Sequence, residues 1–127
     1  MENQVILTGK APAPIGPYSQ AVAAGNLLFI SGQIPLDPLT GVMSGNSIQE
    51  QTHMVMKNLH AILEAAGYGF SQVVKSTIFL TDLRDFAAIN EIYGNYLEQG
   101  HYPARETIQV SALPREAKVE ISMIAAR

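Results

Sequence analysis

Between Ser47 and Gly67 the chain carries a helix that cannot stand alone. Ser47-Ile48-Gln49-Glu50 has the capping-box pattern, a hydroxyl three residues ahead of a carboxylate. Ile48, Val55, Leu59, Ile62 and Ala66, with Met56 and Leu63, then recur at helical spacing as one apolar stripe, and Gly67 supplies the stop. A stripe this long on one side of a helix must be covered by another layer of structure. The rest of the chain must provide that layer, and it is rich in short β-patterned runs.

Val5-Ile6-Leu7 is the first such run, followed by Lys10 to Pro17, where three prolines and a glycine forbid regular structure. Tyr18 to Ala23 and Leu27 to Ser31 read as a hairpin turned at Gly25-Asn26. Gly32 interrupts the second strand, which marks a bulge or a close approach of the backbone to another group. Pro35 to Gly41 is turn chemistry. Val73 to Leu80 is a strand by its β-branched content. Asp82 and Asp85 open a second helix that carries Phe86, Ile89, Asn90, Tyr93 and Leu97 and ends at Gly100. Two strands follow: Thr107 to Ser111, entered through Pro103-Ala104-Arg105, and Lys118 to Ile124. Two helices and about six strands predict an α+β fold with both helices on one face of a sheet. In the last strand Val119, Ile121 and Met123 alternate with Glu120, Ser122 and Ile124. If the more apolar set meets the helices, Arg105, Thr107, Glu120 and Ser122 share the uncovered face. That face is mixed in character, which predicts a homo-oligomer with its site in or near the subunit interface.

The 127 residues are expected to form one domain, residues 1–127, with a core large enough to need no staples. Hydrophobic content of 47% sets the chain apart from disordered sequences. A formal charge of −3 argues against a general nucleic-acid binder. The absence of cysteine removes disulfides, thiolate metal sites and cysteine nucleophiles together. Met1-Glu2-Asn3-Gln4 has no basic or apolar leader character, and no apolar run is long enough to span a bilayer. The expectation is a cytoplasmic protein that does not engage a membrane.

Familiar catalytic patterns are missing: no glycine-rich phosphate loop, no GxSxG, no HExxH. His53 and His60 lie seven apart on the solvent side of the first helix, where a surface role outweighs metal binding, and His101 is a loop residue. What remains is an acid, a fixed cation and some hydroxyls. Arg105 is suited to clamp a carboxylate with two parallel hydrogen bonds. Glu120, set in an apolar strand, would have its pKa raised by desolvation, as a proton-shuttling carboxylate needs. The competing reading is that the two simply form a salt bridge across neighbouring strands. Tyr18, after the rigid Ile15-Gly16-Pro17 turn, is either a site phenol or a core residue with a satisfied hydroxyl. Asn90 either touches a ligand or ties down a loop.

Several ordered segments carry a family resemblance. They are Ala11-Pro12-Ala13-Pro14-Ile15-Gly16-Pro17-Tyr18-Ser19-Gln20, Ser31-Gly32-Gln33-Ile34-Pro35, Asn58-Leu59 through Ala65-Ala66-Gly67, and Val74-Lys75-Ser76-Thr77. Asp85-Phe86-Ala87 with Asn90 and Tyr93, Pro103-Ala104-Arg105, Leu113-Pro114 and Val119-Glu120-Ile121 complete the set. Nearly end to end, the chain resembles the RidA/YjgF family, also called L-PSP or reactive intermediate deaminases. The resemblance implies a chorismate-mutase-like fold with a mixed sheet, and a homotrimer with clefts between subunits. It also implies hydrolysis, without metal or other cofactor, of imines derived from 2-aminoacrylate and 2-aminocrotonate (2-iminobutanoate), giving 2-oxo acids and ammonia. On that carry-over Arg105 and the Gly32 backbone N–H hold the substrate carboxylate, and Glu120 positions or activates the attacking water. Tyr18, Ser31 and Asn90 shape the cleft.

The chain departs from the family at Glu106 and Thr107, where deaminase-type members commonly carry Ser and Cys. Thr107 could still hydrogen-bond substrate or water. An imine deaminase is therefore the leading reading. A non-catalytic metabolite-binding regulator using the same inter-subunit clefts is the alternative. A ribonuclease or translation inhibitor is the weakest, given the acidic charge and the lack of a histidine pair.

Overall fold

A computed structural model describes residues 2–127. Along the chain run β1 (Gln4–Ile6), β2 (Ala21–Ala24), β3 (Leu27–Gln33), α1 (Ile48–Ala65), β4 (Val73–Leu80), α2 (Phe86–Asn95), β5 (Ala104–Gln109) and β6 (Val119–Ala126). The strands form one six-stranded sheet in the order β1-β2-β3-β6-β4-β5. Neighbours are antiparallel except β4 and β5, which are parallel and joined by the α2 crossover. The sheet is therefore mixed, and the fold is of the chorismate-mutase-like kind.

α1 begins as the sequence predicts. Ser47 Oγ accepts from the Glu50 N–H at 3.1 Å, and Glu50 Oε1 accepts from the Ser47 N–H at 3.4 Å. Its stripe is fully enclosed: Val55, Met56, Leu59, Ile62 and Leu63 have no solvent exposure. These side chains lie on the sheet face made by Leu28 and Ile30 of β3, Ile78 and Leu80 of β4, and Val119, Ile121 and Met123 of β6. α2 packs beside α1 over the same face, and the Tyr93 hydroxyl donates to Ser76 Oγ of β4 at 2.9 Å. Buried amides hold the loops around this core. Asn58 donates to the Leu36 carbonyl at 2.9 Å, and Gln51 accepts from the Lys118 N–H at 2.9 Å.

α2 is shorter than the sequence suggests. Asp82 caps a separate turn over Leu83–Asp85 by accepting from the Arg84 N–H, and Leu97 joins the core from beyond the helix end. β5 begins three residues earlier than expected, at Ala104 rather than Thr107, because it pairs with β4 from Lys75↔Ala104 onward. That shift matters for the site, since it puts Arg105 inside the strand. The expected interruption at Gly32 is a bulge: β3 continues to Gln33, with a register shift against β6 between Ile30 and Gln33.

The layer contact between α1 and β6 carries the core. Ile121→Ala is expected to destabilise the fold by about 2–5 kcal/mol in denaturant unfolding, while Glu91→Ala on the exposed side of α2 stays within about 0.5 kcal/mol.

Candidate active site

Two half-sites are built on this chain, on opposite faces of its sheet. The first gathers around Glu120. Because β6 alternates, Glu120 points away from the helices and sits opposite Phe79 in register. The bulge in β3 sets Ser31 and Gly32 between the pairs Ile30↔Met123 and Gln33↔Ile121, so the backbone of Gly32 lies against the Glu120 side chain. A Cβ at position 32 would sit 2.8 Å from Glu120 Cδ and 3.1 Å from Cγ, so any larger residue would push the carboxylate out of its present place. The resulting cleft measures about 590 Å³, and Tyr18, Gln20, Ser31, Gly32 and Glu120 line it together with apolar side chains. Burial pushes the Glu120 carboxyl above its ordinary value of 4.5, and no neighbouring cation offsets the rise.

The loop that brings Tyr18 to this cleft is held by one buried amide. Gln20 Oε1 accepts from the Thr8 N–H at 2.7 Å, and Gln20 Nε2 donates to the carbonyls of Thr8 at 3.0 Å and Pro12 at 2.9 Å. Gln20 is 1% exposed, so these bonds replace water that cannot reach it. The Ile15 N–H donates to Tyr18 Oη at 3.2 Å, closing the turn over its own phenol. Ser31 Oγ donates to the Ser19 carbonyl at 2.6 Å, which fixes this loop to β3.

The second half-site gathers around Arg105. Its strand register pairs Arg105 with Ser76, and the two residues share the helix-covered face. The guanidinium donates from Nη1 to Asn90 Oδ1 at 2.7 Å. It lies 5.3 Å from the ring centroid of Tyr93 and 5.7 Å from that of Phe86, so α2 brackets it with two aromatic faces. Burial raises the Tyr93 pKa, against the smaller opposing pulls of the Ser76 bond and the Arg105 charge. A cavity of about 470 Å³ opens here, lined by Asn90, Tyr93, Gly94, Tyr102, Pro103 and Arg105. Among the described residues no carboxylate lies within ion-pair distance of Arg105.

This placement overturns the expectation that Arg105, Thr107, Glu120 and Ser122 share one face. Arg105 and Thr107 register with Ser76 and Ile78 on the helix-covered side, whereas Glu120 and Ser122 register with Phe79 and Thr77 on the other. It also removes the cross-strand salt bridge between Arg105 and Glu120. Ile108 and Val110 alternate with Arg105 and Thr107, so that expectation would turn the apolar pair toward the helices, but β5 is an edge strand and Ile108 is 43% exposed. Of its polar residues, Arg105 gains cover from α2 instead. Thr107 Oγ1 is sealed from solvent and has no hydrogen-bond partner among the described residues. Glu106 faces the uncovered side, accepting from Thr77 Oγ1 at 2.7 Å and pairing with Lys75 at 3.2 Å. The Thr77 bond first, and then Lys75, lower its pKa.

Sequence reasoning missed two supports. Gln20 stood in the quoted motif without a role, and its only signal was an amide at the mouth of an apolar strand. The aromatic bracket needed the α2 face and the β5 register together. The histidines stand apart from both half-sites: His53 Nδ1 lies 3.0 Å from Tyr96 Oη and His60 stacks on Phe70, on the outer surface of the helices.

A family model described as "Endoribonuclease L-PSP" matches residues 8–127. The mouse 2-iminobutanoate/2-iminopropanoate deaminase is 50% identical over 123 residues, covering 97% of this chain and 90% of the mouse protein. Escherichia coli TdcF with bound serine superposes with a TM-score of 0.93 at 44% identity, covering 98% of each chain. RidA from the Antarctic bacterium Psychrobacter sp. PAMC 21119 gives a TM-score of 0.93 at 46% identity, with 98% and 99% of the two chains covered.

The raised Glu120 pKa has a consequence for stability. The folded state favours the protonated carboxyl, so its contribution is intact at acid pH and is lost as pH rises through 4.5 and then through the raised value. Glu120→Gln is therefore expected to raise the thermal unfolding midpoint at neutral pH and to leave it unchanged at acid pH, as a pH series of calorimetric scans would show.

Proposed function

The chain belongs to the RidA/YjgF family, the family also described as endoribonuclease L-PSP, and from that membership we propose that it is a hydrolytic deaminase of reactive enamine and imine intermediates. Its substrates on this reading are 2-aminoacrylate and 2-aminocrotonate in their imine forms, 2-iminopropanoate and 2-iminobutanoate. The observation that carries the reading is the complementary chemistry of the two half-sites. One offers a guanidinium without a carboxylate partner, held by Asn90, Phe86 and Tyr93. The other offers a partly buried carboxyl with a raised pKa against a glycine backbone. A 2-imino acid needs both, a cation for its carboxylate and an acid–base group near the adjacent carbon.

A single chain holds these halves on opposite faces of the sheet, so the site requires a second copy. The proposed assembly is a homotrimer in which Arg105 of one subunit enters the Glu120 cleft of the next. In the joined cleft Arg105 grips the substrate carboxylate, assisted by the Gly32 backbone. Ionised Glu120 takes a proton from water as its oxygen bonds to the imine carbon. The resulting carbinolamine nitrogen then receives that proton from Glu120, and the C–N bond breaks with ammonia as the leaving group. The hydroxyl passes its proton to the Glu120 carboxylate as its oxygen becomes the carbonyl. Glu120 then releases to solvent the proton that the protonated imine brought in. Imine and water thus become a 2-oxo acid and ammonia. A protonated imine is already a strong electrophile, so orientation and carboxylate neutralisation account for most of what the protein must add. Tyr18 and Ser31 shape the cleft on the Glu120 side, and Asn90 holds Arg105 on the other. Thr107, on the same face of β5 as Arg105, offers its hydroxyl to substrate or water on this reading.

The metabolite-binding alternative draws less support than turnover, because a relative at 50% identity over nearly the whole chain is named as a deaminase. The RNA cleavage in the family description lacks support of another kind. His53, His60 and His101 line neither half-site, and the net charge is −3.

Mixing tests the shared site directly. Arg105→Ala and Glu120→Ala are each expected to abolish ammonia release from freshly generated 2-iminobutanoate. Unfolded and refolded together, they should regain roughly a quarter of wild-type activity, because about half of the contributing subunits on each side of a cleft are intact. No regain would sink the inter-subunit site; full activity in Arg105→Ala would sink the mechanism. Gly32→Ala should keep the fold yet lower kcat/KM by at least about tenfold by displacing the Glu120 carboxylate.

A further inference from the structure

The turn that leads into β6 is strained in a way that points at the Glu120 cleft. Arg115 (φ 59°, ψ 24°) and Glu116 (φ 60°) are consecutive non-glycine residues in the left-handed region. Each such residue is strained relative to a relaxed conformation. Glycine or asparagine would meet the same turn geometry more cheaply. Two long charged side chains here therefore imply that at least one is wanted for its chemistry.

Arg115 is the one with a site to serve. It is the only cation among the residues lining the Glu120 cleft. Its Nη2 donates to the Gly41 carbonyl at 3.3 Å, which steadies the guanidinium over the loop on the far side. Among the described residues no carboxylate pairs with it, and Glu120 shows no sign of its charge, since only burial shifts that carboxyl. The guanidinium is thus held near the cleft, away from Glu120, with donors to spare. Pro12, Ile15, Ile34, Leu36 and Pro114 give the same cleft apolar lining.

We propose that Arg115 is a specificity-determining residue that recognises a second carboxylate at the far end of the substrate. The cleft then accepts imines of 2-oxo dicarboxylic acids as well as the small monocarboxylates. This rests on the deaminase reading and uses the same reaction: water adds its oxygen to the imine carbon, the C–N bond breaks, and ammonia departs. In the joined site the 1-carboxylate meets Arg105 of the neighbouring subunit and the imine carbon faces Glu120. The chain then runs along the apolar walls and its terminal carboxylate meets Arg115. A planar guanidinium can meet that carboxylate with two parallel hydrogen bonds, which an ammonium cannot.

The test compares two imines made in place, 2-iminoglutarate from glutamate with glutamate oxidase and 2-iminopropanoate from alanine with an amino-acid oxidase. Semicarbazide competes as the trap. Arg115→Gln is expected to lower kcat/KM for 2-iminoglutarate by about tenfold, the loss of one charge-assisted contact, and to leave 2-iminopropanoate within twofold. Arg115→Lys should restore part of the difference, and added salt should shrink it in the wild type. Arg115→Gly should match Arg115→Gln in kinetics while its unfolding midpoint stays level or rises, which separates lost recognition from lost folding. Equal losses on both imines, or none on either, overturn the proposal. So does a wild type that hydrolyses 2-iminopropanoate but not 2-iminoglutarate. Calorimetric binding of 2-oxoglutarate and 2-oxobutanoate separates this from the underlying reading. If neither imine turns over, yet Arg115→Gln weakens 2-oxoglutarate alone by about tenfold, the deaminase reading fails and the Arg115 assignment stands. If neither 2-oxo acid binding nor turnover depends on Arg115, the assignment is wrong.

Discussion

The pleat of β6 governs both the core and the chemistry of this chain. Each step along a strand reverses the side chain's direction. Val119, Ile121, Met123 and Ala125 therefore enter the helix-covered core, while Glu120, Ser122 and Ile124 face the other way. Burial of the first set fixes the register, because a slip by one residue would drive Glu120 into the core and expose four apolar side chains. The free energy that holds the fold together thus also sets where the carboxylate stands. The parallel β4–β5 pairing does the same for Arg105 on the opposite side.

Within one chain the cation and the acid stand on opposite faces, so neither is tied up in an ion pair with the other. Their separation leaves Glu120 subject to burial alone. Arg105 is steadied by a neutral amide and two aromatic faces, which orient it without quenching its charge. Gly32 contributes by omission, since the missing side chain is the space in which the Glu120 carboxylate lies.

Much of the fold was legible in the sequence because the signals were local. The capping box at Ser47, the α1 stripe, the Gly25-Asn26 hairpin and the β4 run depend on neighbours a few residues away. The bulge was readable too, from a lone glycine in an apolar strand. The facing of Arg105 was not. Alternation gives the relative phase within a strand, but its absolute phase depends on which side gains cover. For an edge strand such as β5 that is decided by α2, from another part of the chain. Apolar Ile108 thus misled, because an edge position can leave a hydrophobe exposed on an uncovered face. Residue types pointed to Arg105 and Glu120 as the chemical pair, yet only the register reveals that one chain cannot bring them together. The role of Gln20 is illegible for a related reason: its importance lies in the loop residues it reaches, Thr8 and Pro12.

The place of β6 in the sheet has a consequence for how the chain acquires its shape. It is the last of the strands in sequence, yet it lies between β3 and β4. During synthesis β3 and β4 leave the ribosome with open edges and nothing to join them. α1 emerges with half of its apolar floor still unmade. Such edges invite pairing with other chains until they are filled. The sheet closes only when β6 arrives, in a pairing of large sequence separation that makes folding slow to begin and concerted once begun. The nascent protein is thus most exposed to misassembly just before its final strand appears, and it is the Glu120 strand that ends that exposure.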